Sequence, residues 1–398
     1  MATYNHLKDA KLKGKKVLLR AGFDLPMEKG KVSDITRVKA LEKTMKFVLS
    51  KGGTLVIMAH QGRPKDGPNP EFSQKPIVAI LKKVLKAKVH FAEDCIGEKA
   101  EAAIAKAKPG EVVLLENLRF HPEEKKNDAA FAKKLAKLAD VYVNDAFTNC
   151  HREHASMVGV PKHLPAYMGF ALAEEVKHLS LINEKPKSPV TLIVAGSKME
   201  TKVPVIQRFL EKGDHILVGG CIANTLIAAR GFDVGASKYD QEGMEIAQEI
   251  MLESQKTGRA EIHVPRDVVV ATELADKAEK LDLPVEDILG DMSIFDIGKV
   301  TVKRYVDIIQ KSKTIVWNGP VGVYEYNRFS HASKRLAEAI SKATKRGART
   351  IIGGGDTIDF HLKYKYSLKD YTFVSTGGGA MLEFISGKKF AALKALEK

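Results

Sequence analysis

Cysteine is scarce in this chain: Cys95, Cys150 and Cys221 are the only three, widely spaced and without a C-x-x-C pair. An odd set of scattered thiols encodes neither a disulfide framework nor a zinc site, and it suits a reducing compartment. Long apolar runs are missing as well. No stretch approaches the roughly 18 apolar residues of a membrane span. Met1 to Lys16 alternate polar and charged residues with no apolar core segment, so no export signal is read there. The expectation is a soluble, cytoplasmic protein that does not engage membranes. Aromatic residues make up 7% of the chain, with a single Trp, too few for a protein whose main work is binding nucleic acid. Neither the P-loop pattern G-x-x-x-x-G-K-[ST] nor the dinucleotide fingerprint G-x-G-x-x-G occurs, which argues against a P-loop nucleotidase and a dinucleotide oxidoreductase.

What is present points elsewhere. The 398 residues, 44% of them hydrophobic, suffice for two domains, because single cores rarely grow beyond about 250 to 300 residues. Lys and Arg number 64 against 49 Asp and Glu, a formal charge of +15, which favours anionic ligands. Part of that excess lies in lysines at helical spacing, such as Lys82, Lys83, Lys86 and Lys133, Lys134, Lys137, and reads as solvated helix faces.

Short Val/Ile/Leu runs alternate with longer segments of helical period. Val17–Leu19, Leu55–Met58, Val112–Leu115 and Val141–Val143 form one series; Leu192–Val194, Ile216–Val218, Ile315–Trp317, Ile351–Ile352 and Phe373–Val374 form another. This is the pattern of parallel strands covered on both faces. The fold class expected is α/β, two doubly wound, Rossmann-like parallel-sheet domains joined by a helix and closing about a hinge. Gly169 to Glu184 carries Phe170, Leu172, Val176, Leu179 and Ile182 near helical spacing, ahead of Pro186 and Pro189. The expected division is therefore 1–168, a connecting helix over 169–186, and a second domain over 187–374.

The residues just after these strands differ between the halves, and ligands of open α/β sheets bind beyond the carboxyl ends of the strands. The first half offers Arg20, Asp24, His60, Arg63, Arg119, Asn144, Asp145, His151 and Arg152, with Arg37 nearby. Arginines converging from separate strand ends suit a small phosphorylated acid, although Arg37 alone also reads as a helix first turn and His60 as a satisfied core histidine. The second half offers Gly196, Lys198, Gly219, Gly220, Asn318, Gly319, Gly353 to Asp356 and Gly377 to Gly379. Such glycines let the backbone approach phosphate. Asp356 reads either as a helix N-cap or as a Mg²⁺ ligand beside a phosphate. Lys198 and Lys202 are expected on one side of a helix's first turn, where like charges oppose the helix dipole unless an anion is bound. Phosphoryl transfer to an ionised carboxylate needs alignment and charge neutralisation rather than a nucleophile. Arg37, Lys202, a Mg²⁺ on Asp356 and the amides of Gly377 to Gly379 are groups of the right kind.

Across essentially its whole length the chain resembles the phosphoglycerate kinase family. The motifs that carry the resemblance stand in family order: Lys16-Val17-Leu18-Leu19-Arg20, His60-Gln61-Gly62-Arg63-Pro64, Glu116-Asn117-Leu118-Arg119-Phe120, Val143-Asn144-Asp145-Ala146-Phe147, His151-Arg152, Val316 to Val323, Gly353 to Thr357 and Ser375 to Ala380. The resemblance implies that Gly22, Phe23, Asp24, Arg37, His60, Gln61, Gly62, Arg63, Arg119 and Arg152 surround 3-phosphoglycerate. It implies nucleotide contacts, with ATP or ADP, from Gly196, Lys198, Lys202, Gly219, Asn318, Pro320, Val323, Glu325, Gly354, Gly355, Asp356 and Thr357. Asp356 would hold Mg²⁺ and Glu325 the ribose. Arg37, Lys198, Lys202, Gly378 and Gly379 would be catalytic, residues 375–398 would return to the first domain, and the protein would be a monomer. Two segments depart from the family. Its R-x-D-F-N is here Arg20-Ala21-Gly22-Phe23-Asp24, and its usual Gly-Thr-Ala before His-Arg is Thr148-Asn149-Cys150. The first departure removes a hydroxyl acceptor and adds a negative charge, which raises the alternative of a same-fold kinase acting on a different small phosphorylated acid.

Overall fold

The computed structural model of the chain describes residues 3–28, 30–65, 67–288 and 290–398. Strands form where the apolar runs lie: Lys16–Ala21 (β1), Thr54–Met58 (β2), Val89–Phe91 (β3), Val112–Leu114 (β4), Val141–Asp145 (β5) and Ala166–Met168 (β6). They make one parallel six-stranded sheet in the order β3-β4-β2-β1-β5-β6. Val17, Leu19, Leu55, Ile57, Val112, Leu114, Val141 and Val143 are buried in one core, as expected of strands covered by helices on both faces. Strand order reverses between β1 and β5, where Arg20 is the register partner of Asn144. A crevice opens at such a reversal.

The second sheet has the same design. Val190–Ala195 (β7), His215–Gly219 (β8), Glu261–His263 (β9), Thr314–Asn318, Arg349–Gly353 and Phe373–Ser375 are parallel. Between β9 and Thr314–Asn318 the chain makes a separate antiparallel sheet from Asp267–Ala271 (β10), Leu281–Pro284 (β11) and Ser293–Ile297 (β12). With Thr314–Asn318, Arg349–Gly353 and Phe373–Ser375 as β13, β14 and β15, the order is β9-β8-β7-β13-β14-β15. The reversal falls between β7 and β13. Trp317, the largest buried side chain, anchors this core against Phe360 at a ring-centroid distance of 5.9 Å.

The antiparallel sheet, β3, β6 and β9 go beyond the sequence reading. Two compact units result: residues up to Lys177 with Lys389–Lys398, and His178–Lys388. The expected connecting helix spans Phe170–Glu184, with Leu172, Val176, Leu179 and Ile182 buried, and the division between units falls within it. Residues 375–388 group with the second unit, so the return to the first begins at Lys389 rather than Ser375. Lys82, Lys83, Lys86, Lys133, Lys134 and Lys137 are all exposed, as solvated helix faces require. No helix among the described residues is long and apolar enough to cross a membrane.

Candidate functional site

In the first unit the strand-end residues converge through a buried polar chain. Arg20, fully enclosed at the end of β1, donates from Nε to Ser156 Oγ at 2.9 Å and from Nη2 to His60 Nδ1 at 3.0 Å. Ser156 in turn donates from Oγ and its backbone N–H to the buried Glu124 carboxylate, at 2.6 and 2.9 Å. Arg20 is thus spent inside the protein rather than offered to a ligand. Because His60 Nδ1 accepts from Arg20, its Nε2 carries the proton and faces Asp24 Oδ2 at 3.4 Å. Burial first, and then the Arg20 and Arg119 charges, hold the His60 pKa down to about 3 despite the opposing pull of Asp24, so the ring is neutral.

Asp24 adopts a left-handed backbone, φ 43°, a conformation that short polar side chains tolerate best after glycine. Its Oδ1 accepts from Gly62 N–H at 2.8 Å, and its carbonyl from Arg37 Nη1 at 2.5 Å. Burial alone would raise its carboxyl. The hydrogen bonds from His60 and Gly62 and the charge of Arg37 outweigh burial and hold the pKa well below the usual carboxylate range. The added negative charge seen in the sequence is therefore compensated within the protein. Arg37 also donates to Phe23 O at 3.0 Å, which fixes its guanidinium at the β1 end. Gln61 clamps Leu25 through its side-chain amide, at 3.0 and 2.5 Å. Asn117 bridges Gln61 O and Phe72 O.

Arg119 is buried, donates from Nη1 to Gly62 O at 2.6 Å, and leaves Nε without a hydrogen-bond partner. Burial and then the charges of Arg152 and Arg20 lower its pKa to about 10. Arg152 donates to His151 Nε2 at 3.1 Å, and Arg63 is exposed. The charges of Arg119 and Arg152 act on one another beside an unused buried donor, an arrangement that an anion stabilises. Gly22 has a neighbour the sequence did not reveal: a Cβ placed on it would lie 2.9 Å from Thr148 Oγ1 and 3.3 Å from Ala146 Cα. The two departures from the family pattern meet in space.

In the second unit the candidates gather at the ends of β7, β8, β13, β14 and β15. Lys202 donates from Nζ to Asn318 Oδ1 at 2.9 Å, while Asn318 Nδ2 donates to Gly353 O at 2.8 Å. Burial lowers the Lys202 pKa, with the Asp356 charge opposing it. One expectation is corrected: the helix begins at Val203, after both lysines, so Lys202 is its N-cap residue and Lys198 sits exposed in the preceding turn. Pro204 at the start of the helix is the cause, since proline is preorganised for a first turn and lacks the N–H a helix interior needs. Met199 N–H donates to Asp240 Oδ2 at 2.7 Å, which anchors that turn.

The glycines have physical reasons. Gly319, at φ 93°, passes so close to β7 that a Cβ would stand 2.6 Å from Ala195 O. Gly354, at φ 102°, would bring one 2.7 Å from Asn318 Nδ2. Gly196 lies beside Lys202, Gly219 packs on Val321, and Gly378 and Gly379 have open space around them. Gly355 and Asp356 open the helix Gly355–Lys363, and no side chain caps it. The exposed Asp356 carboxylate is thus not spent as an N-cap. Thr357 is buried, its hydroxyl accepting from Gly319 N–H and donating to Gly353 O, both at 2.9 Å. Pro320 and Val323 are half-buried and Glu325 is exposed. Glu124, Ser156 and Asp240 were not singled out from the sequence. Only Arg20, a charge inside an apolar strand run, carried a signal.

The comparisons with known proteins cover the whole of this architecture. The family model described as phosphoglycerate kinase matches residues 7–388. Phosphoglycerate kinase of Zymomonas mobilis is 42% identical over 97% of this chain and 97% of its own length, and that of Moorella thermoacetica is 41% identical over 98% of each. The solved phosphoglycerate kinase of Coxiella burnetii superposes with a TM-score of 0.87 at 34% identity, covering 99% of this chain and 98% of its own. That of Pyrococcus horikoshii gives 0.86 at 33% identity, covering 98% of each. With two strand-end constellations on two parallel sheets and a full-length match, the chain belongs to the phosphoglycerate kinase family, whose members are phosphotransferases.

Proposed function

We propose that this chain transfers a phosphoryl group reversibly between 1,3-bisphosphoglycerate with ADP and 3-phosphoglycerate with ATP, the glycolytic and gluconeogenic reaction of its family. The full-length family match carries the reading. The anion-seeking group of Arg37, Arg119 and Arg152, with Arg63 at its exposed margin, supports placing the acid in the first unit. The glycine-rich strand ends support placing the nucleotide in the second. His60 is neutral and donates from Nε2, so it orients Asp24 rather than moving a proton. Arg37 and Lys202 neutralise the transferred group, a task that needs fixed charge more than proton transfer. Asn318 presents the Lys202 ammonium, and the turn glycines admit phosphate to backbone amides.

Asp356 suits a Mg²⁺ ion: it is an uncapped, exposed carboxylate at a glycine turn, and Mg²⁺ is held by one or two carboxylates together with phosphate oxygens. When bound, that ion would supply charge neutralisation on the phosphates. Because the acid candidates and nucleotide candidates lie in different units, transfer requires closure of the two, which also excludes water. A monomer in the cytoplasm is the expected working form. A coupled assay of ATP consumption tests the reading: consumption should depend on 3-phosphoglycerate, and its absence with folded protein overturns the proposal.

A further inference from the structure

We infer a second metal site, for a borderline divalent ion such as Zn²⁺, formed by His215, Glu261 and His263 at the end of the second sheet opposite its glycine-rich turns. His215 opens β8 and Glu261 opens β9, and the two are register partners in parallel strands. His263 follows two residues after Glu261 and so points to the same side of the sheet. One donor atom from each residue falls within 4.8 Å of the others. His215 Nδ1 and His263 Nε2 are 3.1 Å apart. Two nitrogens at ~2.05 Å from a tetrahedral ion stand ~3.3 Å apart, so the two rings are already near a chelating separation.

His263 has 2% side-chain exposure; the nitrogen it turns to His215 is Nε2, and its Nδ1 stands 3.3 Å from Glu261 Oε1. A cavity of about 460 Å³ gives access from solvent. Two imidazoles and a carboxylate are a donor set for Zn²⁺ and its neighbours, not for Mg²⁺, which prefers oxygen. Arg304 Nη2 donates to Glu261 Oε1 at 2.7 Å, orienting the carboxylate as an outer partner does. Arg266, Lys303 and Lys311 also line the cavity and weaken binding of a dication, so the site is a weak one that saturates only with added ion.

The test is titration calorimetry of the full chain with Zn²⁺ alone, beside His215→Ala and Glu261→Gln, both at positions accessible enough to leave the fold intact. Expected is one Zn²⁺ per chain, weakened about tenfold or more in each variant, with Mg²⁺ giving no heat at this site. The unfolding temperature should rise with added Zn²⁺ in the parent chain and not in the variants. No uptake by the parent chain overturns the site, as does equal uptake by both variants. Inorganic phosphate that binds in place of Zn²⁺ and is lost in Arg304→Ala overturns it too, by making the cavity an anion site. None of these readouts depends on kinase activity, so they stand apart from the proposed reaction.

Discussion

At the scale of single residues, the two departures from the family pattern are one structural event. Gly22 leaves room for the Thr148 hydroxyl, which donates to Asn149 Oδ1 at 3.1 Å. An Asp at 22 would push into that hydroxyl and into the Ala146 backbone. Gly22→Asp alone should therefore fail to lower KM for 3-phosphoglycerate, whereas Gly22→Asp with Thr148→Gly should lower it, through one restored hydrogen bond of about 0.5–1.5 kcal/mol. Equal KM values for the single and double variants would show the two positions to be independent. Removal of a charge at the transferred group acts differently. Arg37→Ala or Lys202→Ala should reduce kcat by on the order of 10², and steady-state rates at saturating substrate check this. Asp356→Asn tests the metal role alone, because no side chain caps this helix and Asn suits its first turn as well as Asp does. A large loss partly restored by extra Mg²⁺ is expected; full activity at ordinary Mg²⁺ would rule out the metal role. The Glu124–Ser156–Arg20–His60–Asp24 chain was illegible beforehand, since residues 20, 60, 124 and 156 are brought together only by tertiary folding.

Elements show where sequence pattern is informative and where it fails. Apart from Phe373–Val374, which forms the edge strand β15, each apolar strand run became a central or near-central strand, because burial on both faces requires continuous apolar residues. Val89–Phe91, Ala166–Met168 and Glu261–His263 are sheet-edge or near-edge strands of three residues containing His, Tyr or Glu, and runs so short and mixed carry no period. The helix after β7 was expected too early because lysine spacing was given more weight than Pro204. The turns that follow β13 and β14 hold together through Thr357, so Thr357→Val should orphan the Gly319 amide at a cost of about 1–3 kcal/mol. The urea midpoint should fall and nucleotide KM should rise, with KM for the acid unchanged. An unchanged midpoint would mean that the turn keeps its shape without that hydroxyl.

For the molecule as a whole, buried titrating groups set an asymmetric response to pH. His60, His154 and His263 have folded pKa values lowered to about 3 by burial and neighbouring cations. The unfolded chain takes up protons on these rings near 6.5 and the folded chain does not, so their contribution is lost as pH falls from 6.5 towards 3. Asp145 and Asp296 run the other way. Burial raises them to about 6 and about 7, so their contribution is full below 3.8 and lost as pH rises through those values. Three rings outweigh two carboxyls, so stability should fall gently, by a net of about one proton, as pH drops from 6.5 to about 4, and steeply below that. Urea midpoints across that range check this, and Asp145→Asn with Asp296→Asn should bring the histidine slope above pH 4. Finally, the second unit is one continuous stretch, whereas the first is completed by Lys389–Lys398, with Lys398 N–H donating to Thr3 O at 2.9 Å and Asn5 N–H to Leu396 O at 3.1 Å. Domains usually fold in order as they leave the ribosome, the amino-terminal one first. Here the later-made unit has its whole sequence in hand before the earlier one does, and the half with the acid-site candidates waits, incomplete, until Lys389–Lys398 has been translated.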